Sequence, residues 1–261
     1  MRIALVSLDQ IWENKALNAK ACEQPLKIAK ENQTDLVIFP EMTLTSYSMN
    51  AKLIAEDFDK STTLELFKSF AINYQVAIIF GVVFRNANKI TNEAVCLDKN
   101  GKIKSTYSKI HPFSFAGEDQ IFTAGDKISF FRLNELSIGL TICYDLRFPE
   151  LYSALRKHCN LIVNIANWPL KRIDHWNTLL KGRAIENQVV VVGVNRTGKD
   201  ANGIDYNKSS QILSPGGELL VPLISKNNID IYVLNLKQLF NFGDSFSTVK
   251  DRRPDLYKSI L

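Results

Sequence analysis

Short apolar runs of strand length alternate with helix-length amphipathic stretches along the chain. Ile3 to Leu8 and Leu36 to Phe39 are brief continuous apolar runs and predict buried strands, since a strand covered on both faces has no polar side to show. The stretch from Leu17 to Lys30 reads as a helix but contains Pro25, which predicts a late start, a kink or a break. Thr63 to Tyr74 predicts another helix, followed by a strand over Val76 to Phe84. Ala94 to Leu97 and Ile103 to Tyr107 predict a hairpin, with Asn100-Gly101 as its turn signal.

The second half repeats the theme. Strands are expected over Leu136 to Ile142, Leu161 to Ala166 and the nearly pure β-branched Val189 to Val194. Helices are expected over Pro149 to Lys157 and Ile173 to Asn187. Ser209 to Leu213 and Leu219 to Leu220 flank Pro215-Gly-Gly as a further hairpin, and Ile229 to Leu234 closes the sheet. Alternating strands and helices mean an α/β fold. No Ser/Gly/Pro-rich linker interrupts them, so residues 1–261 read as a single domain.

Bulk properties narrow the function. The chain has 261 residues, 46% of them hydrophobic, with a net charge of +5 spread along its length. That small, dispersed charge speaks to solubility rather than nucleic acid, and the runs Lys99 to Lys104 and Lys250 to Arg253 read as solvated turns. The first apolar run is too short for a signal peptide, and no stretch approaches the ~20 apolar residues of a membrane helix. Cys22, Cys96, Cys143 and Cys159 lack paired spacing and read as thiols in a reducing cytoplasm; no metal cluster is expected.

Several polar residues fall at strand ends, where α/β folds carry their chemistry. Cys143 follows Ile-Gly-Leu-Thr-Ile and precedes a helix opening at Arg147-Phe-Pro-Glu, a setting that favours anionic sulfur and aims the Tyr144 N–H at a developing oxyanion. Read alone, it is more readily a structural thiol than a nucleophile. Glu41 follows Phe39-Pro40, where a rigid carboxylate can take a thiol proton, or merely cap a loop. Lys109 lies in the half-apolar Tyr107-Ser-Lys-Ile-His-Pro-Phe and can steady an oxyanion, or sit in solvent. Nothing brings His111 to the thiol, so a Cys–His pair is not expected.

Together, Phe39-Pro-Glu-Met, Tyr107-Ser-Lys-Ile-His-Pro-Phe and Leu140-Thr-Ile-Cys-Tyr-Asp-Leu-Arg-Phe-Pro-Glu resemble the nitrilase (carbon–nitrogen hydrolase) superfamily. Their order and spacing, about 68 and 34 residues between key positions, make the likeness specific. It extends to Val249-Lys-Asp-Arg-Arg-Pro-Asp-Leu-Tyr. The resemblance implies a four-layer α-β-β-α sandwich, a homodimer or higher homo-oligomer, and a Glu–Lys–Cys triad of Glu41, Lys109 and Cys143. It also implies a fourth active-site residue, Glu118, orienting Lys109.

Asn167-Trp-Pro, His175-Trp-Asn-Thr-Leu-Leu and Arg183-Ala-Ile-Glu-Asn-Gln resemble the bacterial omega-amidase branch, which implies a small ω-amide substrate such as 2-oxoglutaramate and no cofactor. Pro112, where leucine is common, and the tail Phe246-Ser-Thr-Val-Lys depart from the pattern. Arg147 can fork onto a substrate carboxylate or pair with Asp145 or Glu150; Trp168 can wall the pocket or pack in the core. Trp176, Leu179, Leu180 and Ala184 form an apolar stripe, and Arg183, Glu186 and Asn187 read as scaffold braces. Carbamoyl or nitrile hydrolysis would use the same triad, and a non-catalytic binding relative is a further alternative. A Rossmann reading fails for want of a Gly-rich loop after the first strand.

Overall fold

Alternation along each strand decides which layer a side chain joins. In the computed structural model, which describes residues 1–237, 242 and 247–260, Ile3 and Leu5 of β1 (Arg2–Val6) turn to one face while Ala4 and Val6 turn to the other. The first half continues through α1 (Lys15–Glu31), β2 (Leu36–Ile38), α2 (Ala51–Ile54), β3 (Glu56–Asp57), α3 (Thr62–Tyr74), β4 (Ala77–Asn86), β5 (Lys89–Leu97) and β6 (Ile103–Ser108). Then follow β7 (Phe130–Leu133), β8 (Leu136–Ile142), α4 (Pro149–Leu155), β9 (Leu161–Ala166), α5 (Ile173–Asn187), β10 (Val190–Asn195), β11 (Gly198–Lys199), β12 (Asp205–Tyr206) and β13 (Gln211–Leu213). Last come β14 (Ile224–Lys226), β15 (Ile229–Val233) and α6 (Pro254–Ile260).

One sheet runs β14-β15-β1-β2-β4-β5-β6, with β3 beside β4; the other runs β13-β10-β9-β8-β7. Ile3, Leu5, Ile38 and Ile79 of the first sheet share a core with Ile138, Leu140, Val163 and Val192 of the second, so the sheets pack face to face. Behind the first, Cys22 and Leu26 of α1 and Phe67 of α3 cover Val37, Phe39 and Phe80. Behind the second, Tyr152 of α4 and Trp176, Leu180 and Ala184 of α5 cover Ile162 and Val191, with Leu179 partly buried at the margin. The result is the four-layer α-β-β-α sandwich.

The elements depart from the sequence expectation in four places. Asn14 caps α1 by accepting from the Leu17 N–H at 3.0 Å, and the helix runs unbroken through a buried Pro25. Burial of Cys22, Leu26 and Ala29 offsets the hydrogen bond the proline removes. β5 begins at Lys89, earlier than its apolar part, because polar residues there pair with β4 across a turn at Ala87. The Pro215-Gly-Gly turn forms, with Ser214 N–H donating to the Glu218 carbonyl at 2.8 Å, but its strands meet only at the Leu213–Leu219 bridge. β15 does not close its sheet, for β14 lies outside it. The Asn100-Gly101 hairpin stands as expected, with Gly101 at φ +76°. Phe246 lies outside the described residues.

Candidate active site

β1, β2 and β4 are parallel neighbours, as are β8, β9 and β10, so loops leaving β2, β8 and β9 gather at the strands' C-terminal ends. The loop after β2 is pressed onto β4. A Cβ on Gly81 would lie 2.3 Å from the Met42 nitrogen and 2.8 Å from the Glu41 backbone, so only glycine permits the approach. Gln10 fastens the turn from the other side, donating to the carbonyls of Glu41, Met42 and Thr43 at 2.9–3.1 Å. Met42 takes a left-handed φ of +46°.

This anchorage presents the Glu41 carboxylate, fully buried, to Lys109 at the end of β6. Lys109 Nζ donates to Glu41 Oε1 at 3.1 Å and to both oxygens of Glu118, at 3.0 and 2.7 Å. Asn92, within β5, adds its side-chain N–H₂, donating to Glu41 Oε1 at 2.8 Å and Glu118 Oε1 at 3.1 Å. Glu118 also accepts from Tyr47 Oη and from the Phe113 N–H. Burial pulls a lysine down, but the two carboxylates outweigh it and hold Lys109 well above its ordinary value, a fixed ammonium. Burial pushes Glu118 up, yet Lys109, the Phe113 N–H and Asn92 hold it below the usual carboxylate range.

Cys143 leaves β8 with a left-handed φ of +45°, a backbone state costing of order 1–2 kcal/mol for a side chain bearing Cβ. Asp145 secures the turn. It accepts from the Ile142 N–H at 2.9 Å, from Tyr107 Oη at 2.8 Å, from the His111 N–H at 3.0 Å, and lies 2.7 Å from His111 Nδ1. One carboxylate thus ties the thiol's turn to the segment that carries Lys109, and His111 pairs with Asp145 rather than with sulfur. Asn167, after β9, completes the join: its N–H donates to Glu41 Oε2 at 3.0 Å and its side chain to the Glu41 carbonyl at 2.7 Å. The Asn167 carbonyl lies 3.9 Å from Cys143 Sγ.

The thiol's electrostatics correct the sequence reading. A five-residue 3-10 turn, Cys143–Arg147, follows the cysteine, and the helix starts only at Pro149. Burial first, then the Glu41 charge, push the thiol well above its ordinary value despite Lys109. Both effects favour the protonated thiol over the thiolate.

Lys109, Cys143, Tyr144, Arg147, Asn167 and Trp168 all line one cavity of about 260 Å³. Tyr144 and Arg147 are half-buried there. Trp168 does both things expected of it, lining the cavity and packing on Trp176 in the core. Among the described residues Arg147 pairs with neither Asp145 nor Glu150; it lies 4.9 Å over the Trp168 ring, with Nη2 3.3 Å from His175 Nδ1. Pro112 is not part of the lining, although its neighbour Phe113 is. Arg183 donates to the Leu146 carbonyl and pairs with Glu186, bracing the scaffold as expected. Cys22, Cys96 and Cys159 are buried in the core. Asn92 and Tyr47 went unmarked in the sequence, although an asparagine inside a strand, where its type is depleted, is a signal of sorts.

A buried ammonium between two carboxylates, beside a strand-end thiol in an α-β-β-α sandwich, defines a class of hydrolytic site. The carbon-nitrogen hydrolase family model matches residues 2–238, and the chain belongs to that family. It is therefore a hydrolase of carbon–nitrogen bonds. Among its relatives, the protein named hydrolase in agr operon of Staphylococcus aureus is 32% identical over 264 residues, covering 99% of this chain and 100% of that one. The 2-oxoglutaramate amidase of Bacillus subtilis (strain 168) is also 32% identical, over 262 residues and 98% of both chains. The crystal structure of a CN-hydrolase superfamily protein from Xanthomonas campestris, with an arsenic adduct in its active site, superposes with a TM-score of 0.89 at 29% identity over 97% of each chain.

Proposed function

We propose that the chain is an ω-amidase, releasing ammonia from the terminal amide of a small keto dicarboxylic acid, 2-oxoglutaramate foremost. The reading is carried by one observation: Cys143 shares a cavity with an ammonium held between Glu41 and Glu118, and no Asp or Glu among the described residues lines that cavity. The name of the Bacillus subtilis relative points the same way.

Because the thiol rests protonated, attack and proton transfer go together. Glu41 takes the S–H proton as Sγ bonds to the amide carbon, and the carbonyl π pair moves onto oxygen. Lys109 and the Tyr144 N–H hold that oxyanion. The oxyanion collapses, the C–N bond breaks, and the nitrogen leaves as ammonia with the proton from Glu41. A thioester remains. Water then adds to it, giving its proton to Glu41; the C–S bond breaks, and the proton returns to sulfur as the acid departs. Asn92 and Glu118 keep Lys109 and Glu41 in register throughout. Arg147 forks onto the substrate carboxylate and Trp168 walls the chain of the substrate. We further read residues 1–261 as one domain that works as a cytoplasmic homodimer.

The test is ammonia release from 2-oxoglutaramate, glutamine, asparagine, an N-carbamoyl amino acid and a nitrile. Selective turnover of the keto amide supports the reading, and preference for the carbamoyl compound replaces it with the sister chemistry. Cys143→Ala retaining full amide turnover would sink the mechanism.

A further inference from the structure

Two guanidinium groups and three aromatic rings close a ring within the lining of the cavity. Arg147 lies 5.8 Å over Tyr144 and 4.9 Å over Trp168. Tyr144 packs on Phe113 at 4.8 Å, and Arg172 lies 5.5 Å over Phe113. Trp168 Nε1 donates to the Arg172 carbonyl at 2.8 Å, which completes the circuit. Both arginines are half-buried, and both line the cavity.

Arginine stacked face-on against a ring keeps its N–H edge free, and that edge matches the planar oxygens of a carboxylate. Among the described residues the Arg172 side chain donates to no acceptor and pairs with no carboxylate, and Arg147 has only the ring nitrogen of His175. Lys171 adds a third cation to the lining. The charge of Lys109 is already answered by Glu41 and Glu118, whereas these three have no counter-ion in the lining.

We infer that Arg172 is a second specificity-determining cation beside Arg147, and that the ring holding both selects the amide of an α-keto acid over that of an α-amino acid. This rests on the ω-amidase reading and deepens it. A keto acid brings a carboxylate and a carbonyl, both acceptors, to a ring of donors. An amino acid brings an ammonium to the same ring, where it meets like charges and no carboxylate to receive it.

Arg172→Gln removes the charge and its contact over Phe113 but breaks no hydrogen bond or ion pair of the Arg172 side chain among the described residues, and Arg172→Lys keeps the charge but loses the fork. With 2-oxoglutaramate, Arg172→Gln is expected to raise KM about tenfold, the scale of one charged hydrogen bond, while kcat stays within about twofold. Arg172→Lys should fall between, with melting temperatures unchanged in both. Calorimetry with 2-oxoglutarate and with glutamate reads the ring without turnover. The wild type should bind the keto acid and discriminate against the amino acid, and Arg172→Gln should weaken keto-acid binding about tenfold in step with KM. Wild-type affinity for 2-oxoglutarate in Arg172→Gln overturns the inference, as does a wild type that binds both acids alike or neither. If the wild type binds the keto acid as expected yet releases no ammonia from its amide, only the ω-amidase reading falls.

Discussion

Lys109 is an ammonium because two carboxylates reach it, and Asn92 bridges those carboxylates by donating to each. Replacing Asn92 with alanine strips a donor from both glutamates. Since Asn92 does not line the cavity, we expect kcat to fall by about ten- to a hundredfold, the scale of a hydrogen bond to a charged group, with KM little changed. Steady-state kinetics on the keto amide give that split. Cys143 offers a second check. With its thiol pushed up by burial and by Glu41, alkylation by iodoacetamide should still be climbing above roughly pH 9, past the ordinary thiol midpoint of about 8.5. A plateau at neutral pH would mean a resting thiolate and a different proton inventory. At this scale the sequence was informative where a residue sat in a contiguous motif, as Glu41, Lys109 and Cys143 do. It was silent on Asn92 and Tyr47, whose contacts with Glu118 span 26 and 71 residues and leave no local pattern.

At the scale of elements, apolar runs of strand length marked the central strands of both sheets, because burial on two faces writes itself into consecutive residues. The same logic hid the outer half of β5. Four of the five residues from Lys89 to Glu93 are polar, and the turn at Ala87 lacks the glycine that marks the Asn100-Gly101 hairpin. Pro25 misled for the opposite reason: a strong local signal yielded to packing against the first sheet. Gly81 shows how an element with no chemistry of its own governs the site. A methyl there collides with backbone at Glu41 and Met42, and neither can yield as a side-chain tip would. Gly81→Ala should cost about 2–3 kcal/mol of stability, seen in urea melts, and displace Glu41 enough to abolish most turnover.

Across the whole molecule, the first sheet and its loops supply Glu41, Asn92, Lys109 and Glu118, while the second supplies Cys143, Asp145 and Asn167. The Asn167–Glu41 and Tyr107–Asp145 bonds hold the halves in register. Acid should loosen this arrangement. Burial works to raise Glu56, but its bonds from Lys15, Ser61 and Thr63 hold it low, as Glu118 is held low by Lys109. A carboxyl depressed in the folded state stabilises it fully above the unfolded value of about 4.3 and loses that contribution as pH falls through the lower folded value. Melting temperature should therefore drop steeply below about pH 4, and less steeply in Glu56→Gln.

β1 and β15 lie side by side, with Ile3 against Tyr232 and Leu5 against Asp230. During synthesis, then, β1 leaves the ribosome more than 200 residues ahead of β15 and must wait for it before one of its edges is covered. Until that moment Ile3 to Val6 is an open, apolar template for any neighbouring chain. A message interrupted ahead of Ile229 would leave that template permanently bare, and its product is expected in the insoluble fraction of the cell.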